Sequence, residues 1–170
     1  MTGGRTRPLT AIVCDSDPLR RVALADRATS AGFEVQHLVD NGPHALDMVP
    51  FSQPSLLLMV QELIGMSGLE VVPIARRMDG APDVILIASD ESIAEQARDE
   101  GAIAVVRHGD DDRLDVVLAD LAEQFRTGER RGIDRRERPD RRVKQEWNKV
   151  TMERRSGVDR RAGDPRDDAG

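Results

Sequence analysis

Residues 54–72 read PSLLLMVQELIGMSGLEVV and contain the most apolar run of the chain, SLLLMV at 55–60. A run of this length without polar alternation predicts a β-strand that is covered on both faces. The loop that follows, with Gly65 and Gly68, leads to a predicted helix ending near Met78. Because Pro73 lies inside this stretch, we expect the helix either to be kinked or to begin late.

Short apolar runs and amphipathic stretches alternate on both sides of this segment. The other predicted strands cover residues 10–14, 33–39, 83–89 and 102–107. One predicted helix begins at Asp17-Pro18, an N-cap with proline in the first turn, and the others cover 43–49, 92–100 and 111–125. This alternation predicts an α/β fold, a five-stranded doubly wound parallel sheet in the order 2-1-3-4-5.

Charge divides the 170-residue chain into two parts. Residues 1–126 carry 11 Arg and 21 Asp or Glu, whereas residues 127–170 carry 14 Lys or Arg and 10 Asp or Glu. The first part is therefore acidic and the second basic, which favours separate partners for each. We predict a flexible N-terminus at 1–9, a domain at 10–126 and an Arg-rich, largely disordered tail at 127–170.

Composition and motifs argue against several classes of protein. Cys14 is the single cysteine, the first ten residues lack the apolar core of a signal peptide, and no run is apolar over the length of a membrane span. We therefore expect a cytoplasmic protein that does not enter the membrane. The sequence has no Gly-rich nucleotide-binding loop, and its histidines lack the spacing of metal ligands. We expect no cofactor, no metal and no enzymatic activity.

Four segments of residues 10–126 carry a specific likeness. They are CDSDPLRR (14–21), IGMSGLEV (64–71), VILIAS (84–89) and EGAIAVVRHG (100–109). In order and spacing, the region resembles the receiver domains of two-component response regulators, the phosphorelay proteins of bacterial signal transduction. The resemblance implies the same doubly wound fold and a site at the carboxyl ends of the strands.

In that family an aspartate at the end of the third strand accepts a phosphoryl group from a histidine kinase. The acceptor lies five residues before the first glycine of the loop, and counting back from Gly65 reaches Val60. A valine has no oxygen to phosphorylate. The resemblance therefore points to a pseudo-receiver without its phosphoacceptor.

The remaining positions of the family's pocket are also altered. Of the two acidic residues that would hold magnesium, Asp15 is present and Ser16 replaces the second. Ala88 stands in place of the hydroxyl residue after strand four, and His108 in place of the lysine after strand five. This degenerate pocket implies a non-enzymatic signalling protein that contacts another signalling protein without aspartyl phosphorylation.

Arginine pairs in the tail support an alternative function. These residues are Arg130, Arg131, Arg135, Arg136, Arg141, Arg142, Arg154, Arg155, Arg160 and Arg161. Such pairs can bind phosphates through bidentate hydrogen bonds, so the alternative is a regulator that binds RNA or another polyanion. Acidic residues near each pair weaken that attraction and favour a solvated polyampholyte tail.

A short stripe in the tail has apolar residues at helical spacing. Val143, Trp147 and Val150 fall at i, i+4 and i+7, which predicts a short helix at 143–152. A helix of that length needs a surface on which to form, so the stripe is either a docking anchor or chance patterning in a disordered tail.

Overall fold

The structure, a computed structural model, describes residues 8–128. In this part of the chain strands and helices alternate. The strands are β1 Thr10–Cys14, β2 Glu34–Val39, β3 Leu56–Val60, β4 Asp83–Ala88 and β5 Ala104–Arg107. The helices are α1 Pro18–Ser30, α2 Gly42–Ser52, α3 Gly68–Arg77, α4 Ala94–Asp99 and α5 Asp111–Thr127, with a 3₁₀ turn at Glu91–Ile93 before α4.

All strand pairings are parallel, and the sheet order is β2-β1-β3-β4-β5. The predicted order and fold class are confirmed. β3 lies in the middle, hydrogen-bonded to β1 on one side and to β4 on the other. The residues of β3 are at most 1% exposed, which explains why this strand is apolar throughout.

Helices cover both faces of the sheet. On one face α1 and α5 pack over Leu56, Leu58 and Val60 of β3. On the other face α2, α3 and α4 pack over Leu57 and Met59. Alternate β3 side chains thus enter two separate apolar clusters, as the period-two geometry of a strand requires.

Two helices differ from the sequence expectation. α2 begins at Gly42, after the N-cap Asn41, and continues through Pro50 to Ser52. The predicted helix at 43–49 therefore omitted one residue at the start and three at the end. α3 begins at Gly68 with Pro73 inside it, so a late start was wrong. The backbone N–H and the hydroxyl of Ser67 both donate to the Glu70 carboxylate at 2.8 Å. This contact fixes the start of α3 ahead of the proline.

Boundaries elsewhere shifted by a few residues. β5 begins at Ala104, two residues later than predicted, and α4 is shorter because the 3₁₀ turn takes its first residues. In the described part of the chain, no helix combines the length and apolar character needed to cross a membrane.

The face of α5 that packs on the sheet gives a test of the core. Leu118 is fully buried, whereas Val116, two residues earlier, is 49% exposed. We expect Leu118→Ala to lower the free energy of unfolding by about 2–5 kcal/mol through lost burial and a residual cavity. Val116→Ala should change it by less than about 0.5 kcal/mol. Urea denaturation of the full chain measures both, and equal losses would contradict the assigned helix face.

Candidate functional site

The carboxyl ends of the strands lie along one edge of the sheet, where ligand sites of doubly wound folds are found. Asp15 directly follows β1, Val60 ends β3, Ala88 ends β4 and His108 directly follows β5. The predicted pocket residues therefore occupy the same edge, as their spacing indicated.

Val60 belongs to the apolar core and not to a polar pocket. It is 1% exposed and lies in the cluster that also contains Val13, Ile87 and Val106. The next residue, Gln61, receives the Leu69 N–H at its side-chain oxygen at 2.9 Å, and its backbone oxygen receives the Gly68 N–H at 3.0 Å. The end of β3 is thus used to pack the sheet and to hold the first turn of α3.

Ala88 is equally inert. It is 1% exposed, and its backbone oxygen accepts the N–H of His108 at 2.9 Å. Ser89, the adjacent hydroxyl residue, is exposed and lies beyond the strand end. Position 88 therefore offers no side-chain donor to an anion, and its backbone joins the ends of β4 and β5.

Asp15, directly after β1, carries a carboxylate at this edge whose side chain is fully buried. Arg20, in the first turn of α1, donates from Nε to Oδ2 and from Nη2 to Oδ1, both at 2.8 Å. The Asp17 N–H also donates to Oδ1 at 2.8 Å. A forked ion pair of this kind supplies the partner that a buried carboxylate needs. The hydrogen bonding between the Arg20 guanidinium and the Asp15 carboxylate is also the main reason that the pKa of Arg20 is raised.

Arg20 also reaches the opposite end of the site. Its Nη1 lies 3.2 Å from Nε2 of His108, although the two residues are 88 positions apart. An arginine can only donate, so Nε2 is the acceptor in this contact. His108 is exposed, and Arg20 connects it to Asp15.

Arg20 was missed by the sequence reasoning. Asp17 was correctly predicted as the N-cap of α1, since its carboxylate accepts the N–H groups of Leu19 and Arg20. These bonds lower the pKa of Asp17. An arginine in the first helical turn, five residues after Asp15, was a signal, but helical spacing alone does not show where a long side chain points.

The residues at this edge do not fit a magnesium ion, which the resemblance implies for the family. Magnesium requires several oxygen ligands in octahedral geometry. Asp15 already uses both carboxylate oxygens for Arg20, and Ser16 brings no second carboxylate. Among residues 8–128, no group of three or more His, Cys, Asp or Glu is placed to hold a metal ion.

Cys14, the last residue of β1, lies beside this ion pair and is fully buried. Its Sγ donates to the backbone oxygen of Asn41 at 3.4 Å. Burial, reinforced by the negative charges of Asp15 and Asp40, raises the pKa of the thiol from 9.0 to about 12. The thiol is therefore protonated and structural, since nucleophilic reactivity requires the thiolate.

Several predicted features lie outside the described residues. They are most of the N-terminus at 1–9, nearly all of the tail at 127–170 with its arginine pairs, and the Val143, Trp147 and Val150 stripe. They remain predictions from the sequence.

Comparison with solved structures identifies the fold. The REC domain of AraT, a response regulator from Geobacillus stearothermophilus, has a TM-score of 0.65 at 19% identity, covering 72% of this chain and 99% of that one. The response regulatory domain of protein mrkE from Klebsiella pneumoniae has a TM-score of 0.64 at 13% identity, with 69% and 98% covered. The response regulator domain of Thermotoga maritima CheB has a TM-score of 0.62 at 18% identity, with 71% and 98% covered.

Sequence comparisons give no corresponding match. No family model matches the chain, and no curated protein matches it. The likeness to the solved structures is thus one of fold: residues 8–128 adopt the receiver fold.

The Cys14 thiol predicts how stability depends on alkaline pH. In the unfolded chain the thiol ionises near 9.0, whereas the folded state keeps its proton up to about 12. The contribution of the protonated thiol to the free energy of unfolding should therefore be fully present below pH 9. It should be lost as the pH rises from 9 to about 12. The chain has no tyrosine, and its lysines are Lys144 and Lys149 in the tail, so few other groups titrate there.

Urea denaturation of the wild type and Cys14→Val from pH 8 to pH 11 tests this expectation. The variant keeps an apolar side chain of similar size but has no thiol, so its stability should change less with pH. Identical pH profiles for the two proteins would show that Cys14 does not set the alkaline limit.

Proposed function

We propose that this chain is a non-enzymatic, cytoplasmic signalling protein that resembles a two-component response regulator and acts through protein contacts without aspartyl phosphorylation. The observation that carries the proposal is the burial of Val60 in the core at the end of β3. The receiver-fold neighbours support the signalling class.

The carboxylates around Val60 are poor substitutes for a phosphoacceptor. Phosphoryl transfer requires an exposed acceptor oxygen and cations to neutralise the developing charge. Asp15 is fully buried and paired with Arg20, and Asp17 caps α1. Glu62 lies exposed in the loop after β3. Each of these carboxylates is buried, already hydrogen-bonded or away from the strand end.

Exposed apolar side chains near the same edge support the contact with a protein partner. Leu19, in the first turn of α1, is 82% exposed, and Ile64, in the loop between β3 and α3, is 69% exposed. Leu19 and Ile64 follow β1 and β3, the strands that end next to Asp15 and at Val60, so a partner that contacts this edge would cover them. We therefore assign partner binding to this end of the domain.

The phosphorylation part of the proposal is tested by incubating the full chain with acetyl phosphate and magnesium. We expect no gain of a phosphoryl group by intact-mass measurement, because position 60 has no acceptor oxygen. A conventional receiver domain with its acceptor aspartate, treated in parallel, is the positive control. A phosphoryl group mapped to any residue of 8–128 would overturn the proposal.

The contact part is tested by affinity capture from cell extract with the tagged full chain. Leu19→Ser and Ile64→Ser should each reduce the captured partner by roughly tenfold, as expected for apolar anchors at the centre of an interface. Val116→Ser is the matched control, because Val116 is also exposed but lies on α5. Equal capture by all variants, or equal loss including the control, would place the contact elsewhere.

A further inference from the structure

Arg20 connects two parts of the site that the sheet keeps apart. Its guanidinium binds Asp15 at the end of β1 and contacts His108 after β5. In the sheet order, β3 and β4 lie between these two strands. One side chain therefore spans the edge along which the predicted pocket residues lie.

We propose that the Arg20 guanidinium is a permanent internal cation in front of Asp15, which takes the place a divalent metal ion would need and holds the β5–α5 loop through His108. The proposal deepens the proposed function and rests on it for its meaning in signalling. In this proposal the contacts of Arg20 with Asp15 and His108 form without a metal ion or a phosphoryl group.

The first support is the geometry at Asp15. A metal ion would have to approach the carboxylate oxygens that face the site, and these are the oxygens bonded to Nε and Nη2 of Arg20. Arg21 adds a bond from Nη1 to the backbone oxygen of Asp15 at 2.7 Å. A metal ion can bind Asp15 only after displacing Arg20, which would return the guanidinium to solvent without its partner.

The second support is the chemistry of the guanidinium. Arginine stays protonated at any pH at which the domain is folded, and its planar fork matches a carboxylate. A metal ion dissociates according to its concentration, whereas this cation is covalently part of α1. The counter-charge for Asp15 therefore stays in the molecule at any metal concentration.

The third support is the anchoring of His108. Its backbone N–H is bonded to Ala88 at the end of β4, while its ring contacts Arg20. His108, the first residue of the loop between β5 and α5, is thus held by one backbone bond and one side-chain contact. Loss of the guanidinium removes the second of these and should loosen the loop.

The test uses the full chain with Arg20→Met, which keeps the aliphatic stem and removes the charge. We expect Arg20→Met to show weak but saturable Mn²⁺ binding and a small rise in Tm with MnCl₂. Both oxygens of Asp15 are then free, although Ser16 still brings no second carboxylate. The wild type should show neither effect, and the double variant Asp15→Asn with Arg20→Met should lose the gained binding. Hydrogen exchange at the His108 amide should become about tenfold faster in Arg20→Met.

Arg21→Met is the matched control, because Arg21 contacts the backbone of Asp15 and not its carboxylate. It should behave like the wild type in both measurements. Arg20→Lys serves if Arg20→Met does not fold: the retained charge should exclude Mn²⁺, while the missing fork should still speed exchange at His108.

Two outcomes would overturn the proposal. One is saturable Mn²⁺ binding by the wild type that matches Arg20→Met, and the other is unchanged exchange at His108 in both Arg20 variants. Neither result depends on phosphorylation. The acetyl phosphate experiment can therefore contradict the proposed function without contradicting the role of Arg20, and the reverse also holds.

Discussion

The burial of β3 on both faces is the constraint from which the rest of the domain follows. This strand has neighbours on both sides and a helical layer over each face, and its residues are at most 1% exposed. A polar side chain in such a strand is tolerated only where the strand end opens into a site. Here Val60 continues the apolar core to the last residue of the strand, so the end of β3 offers no polar side chain to a site.

The buried carboxylate at the end of β1 then needs compensation from within the protein. Burying Asp15 without a counter-charge would be strongly unfavourable. Arg20 supplies the counter-charge from the first turn of α1, where the Asp17 cap sets the start of the helix. Val60 at the end of β3 and Arg20 in front of Asp15 are consistent with each other, because the apolar strand end brings no charge and the buried carboxylate of Asp15 has its counter-charge within the protein.

The sequence predicted the elements of the domain better than the contacts of its site. The apolar run at 55–60 and the cap at Asp17 are local patterns, and local patterns determine strands and helix starts. Proline was the weak point, because Pro50 and Pro73 both lie inside helices that packing and a Ser67–Glu70 contact hold in place. The bridge from Asp15 through Arg20 to His108 was not predicted, since it joins residues 88 positions apart through a flexible side chain.

An arginine that occupies the metal-facing oxygens of Asp15 changes which part of the protein a signal could act on. A receiver that depends on metal and phosphate changes state when these bind or leave, because their occupancy biases two conformations. A covalently attached cation has no occupancy to vary, so in the proposed role this edge would carry no comparable signal. A partner that distinguishes states of this protein must then act on its surface, and a ligand shifts a conformational equilibrium only through its different affinity for each state. Leu19 stands next to Arg20 in the first turn of α1, so a partner that covers Leu19 would act directly on the helix turn that holds Asp15 and His108 together.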